Sequence, residues 1–397
     1  MLPDMLQTSP YLTRIDPGAD PPITYWTDTF GPAFPDGDTP AADAAFGVVG
    51  LDRKIVWESD REILALLRAC APEPQTAQTL VTEYGTDRVT AATARDWLQV
   101  PEDLCRAYRL VSGEIEVTTH CNWGCRYCPV ATDPKPRRTM PMDLFEEIIT
   151  KLAAVGTINY VTFQFFNEPT LDKHFTDRVR VLAKHGMQLA LYSNASALTQ
   201  DKIDTLKRHG VLRHLIVNMP SADPDEFAQL TGSRSYPHTT RNLHAALNAG
   251  LRTQIVVNGV GEDLARNLDS VTRRYQPLGA EVFPSLTCDR AGDVGGPYAQ
   301  DVYVEGRLTG CGWPVQHANI GVTGDLFLCC NDYYQREVFG NIRDGSIDEL
   351  MTSDAAVSLR RRVFGVATAP NDFLCRRCHN QAPDFPNRDF RPIATFG

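Results

Sequence analysis

From residue 113 onward, short runs of apolar, β-branched and aromatic residues alternate with longer stretches whose apolar positions recur every three or four residues. That rhythm predicts parallel strands joined by covering helices. The strands are expected at 113–119, 160–166, 188–192, 214–218, 253–258 and 281–286. Helices are expected at 142–155, 172–185, 201–209, 225–230, 239–249 and 262–275, with Gly156, Gly186 and Gly210 at three of the stops. Six such units suit a partial parallel barrel or an open twisted sheet, and in both the ligands gather beyond the carboxyl ends of the strands. The loop after strand one, Asn167 and Glu168 after strand two, Ser193 and Asn194, Asn218, Asn258 and Cys288 are therefore expected to ring one pocket.

Residues 1–105 do not share this rhythm and read as a small α+β domain. Turn signals at Pro17-Gly18, Pro21-Pro22 and Pro35-Asp36-Gly37 separate short apolar runs such as 46–49. Three short helices follow, at 62–68 capped by Ser59 or Asp60, at 76–84, and at 91–98 capped by Thr90. The order of strands and helices resembles the winged-helix peptide-binding domains; a simple cap over the next domain is the other reading. Residues 106–290 hold the six units. Residues 291–397 open with a Gly-rich turn, place a hairpin around Thr323-Gly324-Asp325 that delivers Cys329, and add one or two helices over 346–359.

Composition narrows the class. With 397 residues, 43% apolar and 22% charged, the chain suits a soluble protein of two or three domains. A net charge of -10 argues against nucleic-acid binding. The basic runs Arg360-Arg361-Arg362 and Arg376-Arg377 read as solvated faces and loop edges. The N-terminus has no secretory-signal pattern and no apolar run is long enough to span a bilayer, so a cytoplasmic protein without a membrane partner is expected. Thiols stay reduced there, and the 11 cysteines, several at C-x-x-C spacing, point to metal or cluster ligation rather than to disulfides. Cys70 and Cys105 stand apart and are expected to be small core residues.

The chemistry centres on Cys121, Cys125 and Cys128. A four-iron cluster takes four ligands, so three thiolates leave one iron open. A structural zinc is the competing reading and wants a fourth Cys or His. His120 is adjacent, but on a strand continuing to Cys121 its side chain points to the opposite face. A second set, Cys311, Cys329, Cys330, Cys375 and Cys378, follows in the C-terminal segment.

Cys121, Cys125, Tyr127 and Cys128 fit the C-x3-C-x2-C hallmark, with its aromatic before the last cysteine, and from residue 113 to the end the chain resembles the radical S-adenosylmethionine (SAM) enzymes. The resemblance implies a partial (β/α)6 TIM-like barrel of class α/β and a [4Fe-4S] cluster whose open iron is chelated by SAM. It also implies reductive cleavage of SAM to a 5'-deoxyadenosyl radical that abstracts a substrate hydrogen. Asn167-Glu168-Pro169 matches the family's Gly-Gly-Glu-Pro position, with Phe166 and Asn167 in place of the glycines. The match gives Glu168 the amino group of SAM, and Ser193-Asn194 resembles the ribose-contacting position. The C-terminal segment resembles the twitch or SPASM extensions. It implies one auxiliary [4Fe-4S] cluster on Cys311, Cys329, Cys375 and Cys378, with Cys330 as the alternative to Cys329 and zinc as the alternative metal. A flavodoxin or ferredoxin would supply electrons.

Three functions remain open on the sequence. One is oxidation or epimerisation of a sugar, aminocyclitol or similar natural-product precursor. The second is modification of a ribosomally made peptide whose leader docks on residues 1–105. The third is a zinc-containing scaffold without catalysis. Cys288, at the end of strand six, would return a hydrogen atom in an epimerisation; an idle packed thiol is the bland reading.

Overall fold

The computed structural model describes residues 2–15, 43–51, 55–158, 160–299 and 301–381. The turn signals at Pro17, Pro21 and Pro35 lie outside the described residues. Two compact units form, neither contiguous in sequence: 1–109 with 302–316 and 351–397, and 110–301 with 317–350. Segment 291–397 therefore contributes to both.

In the first unit, β1 (Met5–Thr8), β2 (Thr13–Ile15), β3 (Phe46–Val49) and β4 (Ile55–Glu58) are followed by helix α1 (Arg61–Ala69). Next come β5 (Gln75–Thr76), α2 (Ala77–Tyr84), α3 (Thr86–Ala94) and β6 (Leu98–Gln99). Two antiparallel sheets result, in the orders β5-β1-β6 and β2-β3-β4. The Asp60 carboxylate accepts from the Glu62 N–H at 3.0 Å, so this expected cap forms, and the Thr76 hydroxyl accepts from the Thr79 N–H at 3.1 Å as a cap of the second helix; the cap expected at Thr90 does not form, since that residue lies inside its helix. Leu6, Phe46, Val48, Leu66, Leu67, Leu80, Val89 and Trp97 close a core drawn from this stretch alone. The third helix departs from expectation: it starts at Thr86 and ends before Leu98, because Leu98 and Gln99 pair with Thr8 and Gln7 as a strand. Tertiary pairing there overrides a helical pattern.

The second unit begins with β7 (Ser112–Ile115), α4 (Met142–Ala154), β8 (Tyr160–Phe163), α5 (Phe175–Lys184), β9 (Gln188–Ser193) and α6 (Gln200–His209). It continues through β10 (Leu212–Asn218), α7 (Pro224–Thr231), α8 (Tyr236–Asn248), β11 (Thr253–Gly259), α9 (Gly261–Tyr275) and β12 (Glu281–Leu286). The hairpin strands β13 (His317–Ile320) and β14 (Asp325–Phe327), then β15 (Val338–Asn341), complete one nine-stranded sheet in the order β12-β11-β10-β9-β8-β7-β13-β14-β15. Neighbours from β12 to β13 run parallel, giving the α/β partial barrel. Two side-chain contacts span the edges of the barrel mouth. Beyond β12 and β14, Arg336 pairs with Asp293 at 2.7 Å and Arg290 donates to the Asn331 Oδ1 at 3.3 Å.

Two strands stop earlier than their apolar runs suggest. After Ile115 the backbone turns to its own returning segment: the Thr119 N–H donates to the Arg138 carbonyl and the Met140 N–H to the Val117 carbonyl. The alternation that would set His120 opposite Cys121 therefore does not apply. Strand β8 ends because Phe165 adopts φ +89°, a conformation a β-strand cannot contain.

The C-terminal chain adds α10 (Ile347–Met351) and α11 (Asp354–Val363), the two-helix form of the expected 346–359 stretch. Two basic residues read as solvated are buried instead. Arg360 donates to the carbonyls of Cys105, Arg106 and Met351 at 2.8, 3.2 and 2.6 Å. A fork of five N–H donors can collect carbonyls that no helix or strand satisfies, which a charge count along the sequence cannot reveal. Cys70 and Cys105 are fully buried, and among the described residues no helix is long and apolar enough to cross a membrane.

Candidate active site

The loop holding Cys121, Cys125 and Cys128 is braced by main chain. The Gly124 N–H donates to the Thr231 carbonyl at 2.9 Å and the Arg126 N–H to the Leu230 carbonyl at 3.0 Å, so the loop satisfies the last carbonyls of α7. Gly232 makes this approach possible. Its φ is +63°, and a Cβ there would stand 2.9 Å from the Gly124 carbonyl oxygen. Trp123 is buried with its ring edge-on to Phe227 at 5.0 Å, and its Nε1–H donates to the Ser235 hydroxyl at 2.8 Å.

Burial pushes the Cys121 thiol up to about 12, and also raises Cys125 and Cys128; Cys125 is raised further by the other two. Such thiols stay neutral in water-facing chemistry and become thiolates when a metal takes the proton's place. Among the described residues no three His, Cys, Asp or Glu side chains converge as the ligands of one ion do. Cys121, Cys125 and Cys128 on one short loop supply three of the four ligands that a [4Fe-4S] cluster takes. The donor set fits the cluster.

Glu168 is fully buried beside this loop, its N–H donating to the His120 carbonyl at 2.8 Å. Oε1 accepts from the Thr170 N–H at 2.9 Å, the Ser193 hydroxyl at 2.7 Å and the Thr170 hydroxyl, and Oε2 accepts from the Asn194 N–H. Burial raises the Glu168 carboxyl above its ordinary value, and these hydrogen bonds oppose the rise. Oε1 is saturated and Oε2 keeps room for one more donor. Next to it the Asn167 Nδ2 donates to the Gln164 carbonyl at 2.9 Å, while its buried Oδ1 has no partner. Two acceptors thus await an N–H-bearing group. Ser193 holds Glu168, and Asn194 bonds Asn122 through Nδ2 at 2.9 Å and the Ser196 N–H and hydroxyl through Oδ1 at 2.9 and 2.7 Å. One Asn194 N–H is left for a ligand.

Tyr127 is buried and tied across the strand ends: its oxygen accepts from the Asn218 Nδ2 at 2.9 Å, and the Asn258 Nδ2 donates to the Asn218 Oδ1 at 2.9 Å. Three residues expected around one pocket therefore share a hydrogen-bond chain. Cys288 is half-buried beyond β12, close to Arg290. Burial works against the Arg290 charge, but negative charge on the sulfurs of Cys288, Cys330, Cys128 and Cys329 outweighs it and raises the guanidinium above its ordinary value.

The remaining cysteines are placed unit by unit. Cys329 follows β14 in the second unit and is buried. Cys311, Cys375 and Cys378 belong to the first, where the Cys378 N–H donates to the Cys375 carbonyl at 3.2 Å in a C-x-x-C turn. Between them Arg376, 4% exposed, donates to the carbonyls of Pro370, Val304, Gly306 and Ala369 at 2.8, 2.7, 3.1 and 2.7 Å. The basic pair expected at a loop edge is, at this position, the brace of the turn.

Sequence reasoning missed Arg290, Asn122, Trp123 and a buried network on the barrel side of β7. There the Ser112 hydroxyl bonds both the Glu114 carboxylate and, at 2.8 Å, the His317 Nδ1. The polar residues at 112 and 114 flanking Gly113, whose Cα faces Leu152 of α4, were the available signal.

Residues 115–266 match the family described as the Radical SAM superfamily, and residues 311–379 match the iron-sulfur cluster-binding domain SPASM. The chain is 24% identical over 271 residues to the S-adenosyl-L-methionine-dependent 2-deoxy-scyllo-inosamine dehydrogenase of Niallia circulans, covering 67% of this chain and 92% of that one. It is 30% identical over 151 residues to the GTP 3',8-cyclase of Actinobacillus succinogenes, covering 37% of this chain and 44% of the cyclase. In fold it resembles Streptococcus suis SuiB bound to precursor peptide SuiA, with a TM-score of 0.57, 10% identity, and coverage of 98% and 100%.

Proposed function

The chain belongs to the radical SAM superfamily and carries a SPASM-type auxiliary cluster domain, and on that premise we propose that it oxidises or epimerises a small natural-product precursor such as a sugar or aminocyclitol. The observation that carries the catalytic reading is the placing, at the strand ends, of the three-thiol loop, with Cys125 buried and Cys121 and Cys128 half-buried, beside two acceptors, Glu168 Oε2 and Asn167 Oδ1, that still have room for a donor. Similarity to a dehydrogenase named for an aminocyclitol, over 92% of that enzyme, supports the substrate class.

Cys121, Cys125 and Cys128 hold the [4Fe-4S] cluster that binds SAM. Cys311, Cys329, Cys375 and Cys378, all inside the matched SPASM stretch, are assigned to the auxiliary cluster on that match. When bound and reduced, the cluster and SAM supply a 5'-deoxyadenosyl radical. The chain's own residues orient and shield. Glu168 and Asn167 accept N–H groups of SAM, Asn194 offers it one N–H, and Tyr127, Asn218 and Asn258 fix the floor of the pocket. Cys288, half-buried beyond β12, is assigned the delivery of a hydrogen atom in an epimerisation. A flavodoxin or ferredoxin completes the cycle in the cytoplasm.

Anaerobic reconstitution tests this reading. About eight irons per chain and release of 5'-deoxyadenosine under reducing conditions are expected; a colourless protein holding zinc would overturn it. If Cys288→Ala leaves product and turnover unchanged, Cys288 is not the donor. A second reading, modification of a ribosomally made peptide, is favoured by the separate core of residues 6–98. Binding of leader peptides to the full chain, with none for small precursors, would select it.

A further inference from the structure

Arg290 is unlike the other inward arginines of this chain. Arg360 and Arg376 spend their donors on backbone carbonyls, and Arg178 pairs with Asp172 at 2.5 Å with both side chains fully buried. The Arg290 guanidinium is half-buried and makes one long hydrogen bond, 3.3 Å to Asn331 Oδ1, out of five N–H groups. Its plane stands over the Phe166 ring at 5.7 Å. Among the described residues no carboxylate pairs with it. The chain also accepts strain to put it there: Arg290 and Ala291 both adopt left-handed backbone, φ +52° and +58°, at the end of the turn beyond β12. Strained non-glycine residues of this kind persist at ligand sites because the surroundings over-determine them.

The position is specific. Phe166 immediately precedes Asn167 and Glu168, and Asn331 follows Cys329 and Cys330. The guanidinium therefore reaches across the mouth of the barrel, over the ends of the parallel strands where ligands of such sheets sit. A partly desolvated charge is normally paired. Here the sulfurs of Cys288, Cys330, Cys128 and Cys329 lie near the charge but accept none of its N–H groups, so the fork is open to an oxyanion, bidentate, from outside the chain.

We propose that Arg290 is the anion-binding residue of the substrate pocket, and that the substrate carries a carboxylate or a phosphate. The inference rests on the radical SAM reading and narrows its substrate class: a neutral or purely cationic precursor would leave the N–H fork without an acceptor beyond Asn331. Carboxylate and phosphate share the recognition chemistry, and simple probes separate them.

The test uses the full chain, reconstituted anaerobically and saturated with SAM, titrated calorimetrically with inorganic phosphate and, separately, with acetate. Iron content and 5'-deoxyadenosine release of the same sample check the underlying reading first, so its failure is seen apart from this one. Wild type is expected to bind one of the two anions, and Arg290→Gln to weaken that binding at least tenfold with SAM affinity unchanged. Arg290→Lys keeps the charge without the fork and is expected to lose less. Arg336→Gln breaks the neighbouring cross-edge pair with Asp293 and should leave anion affinity as it was. The proposal is overturned if neither anion binds wild type, or if Arg290→Gln weakens SAM instead of the anion. An equal loss in Arg336→Gln would also overturn it, since the arginine would then be a latch of the barrel mouth.

Discussion

The loop of Cys121, Cys125 and Cys128 hangs on main chain, whereas the turn of Cys375 and Cys378 hangs on one side chain. The first borrows the unsatisfied carbonyls of α7 at Leu230 and Thr231, and a glycine at 232 lets the two backbones meet. The second gathers carbonyls from residues 304, 306, 369 and 370 onto the guanidinium of Arg376. The difference follows from what surrounds each. In the barrel a helix end supplies acceptors in a fixed array, so backbone N–H groups suffice. In the irregular C-terminal chain the carbonyls point from unrelated directions, and only a planar, permanently charged fork meets several at once. A main-chain brace tolerates changes in most side chains of its loop; a side-chain brace fails with one substitution.

That contrast is broken most severely at Arg376. Arg376→Ala leaves four carbonyls without their donor and is expected to cost about 3 kcal/mol or more. The urea midpoint should fall and iron should drop to about four per chain, with 5'-deoxyadenosine release retained. Arg376→Lys should recover only part of the loss, because an ammonium lacks the fork. If Arg376→Ala kept its full iron content, the turn would not depend on that side chain. The matching change in the barrel is Gly232→Ala. It forces a Cβ to within 2.9 Å of the Gly124 oxygen at a φ of +63°, for about 2 kcal/mol. Here the expected loss is reversed: SAM cleavage and the iron of the three-cysteine loop fall, and auxiliary iron stays. Equal loss of both in either variant would mean that the two braces are not independent.

Much of the barrel was legible because its signals are local. Apolar runs and helix-stopping glycines placed all six parallel strands and the helices between them, and C-x3-C-x2-C spacing marked the candidate site before any fold was known. What escaped was set by partners distant in sequence. Strand one ends at Ile115 because residues 117–119 pair with 138–140, and α3 is shifted because Leu98 is claimed by β1. Arg360 and Arg376 looked solvated because runs of charge usually are; their acceptors are carbonyls that the sequence gives no means of locating. The same holds for Arg290, whose meaning depends on which groups it does not meet. The cysteines declared the chemistry, and the residues that hold them in place did not.

The thiols allow the smallest and sharpest form of the comparison. Burial raises Cys70, Cys105 and metal-free Cys121 alike to about 12, so electrostatics does not separate a core thiol from a ligand. Metal does. An unfolded chain releases these protons near about pH 8.5, while the fold holds them. Above that pH the unfolded chain binds fewer protons, so stability falls as pH rises, by at most about 1.4 kcal/mol per pH unit for each thiol. Cys70→Ala should lower the slope with or without metal. Loading the cluster turns Cys121 into a thiolate in the fold and should remove its share, leaving the shares of Cys70 and Cys105. Urea midpoints of the metal-free and loaded protein, followed from about pH 9 upward, check this. A slope that loading does not change would take Cys121 out of the ligand set, and with it the three-thiol reading of the loop.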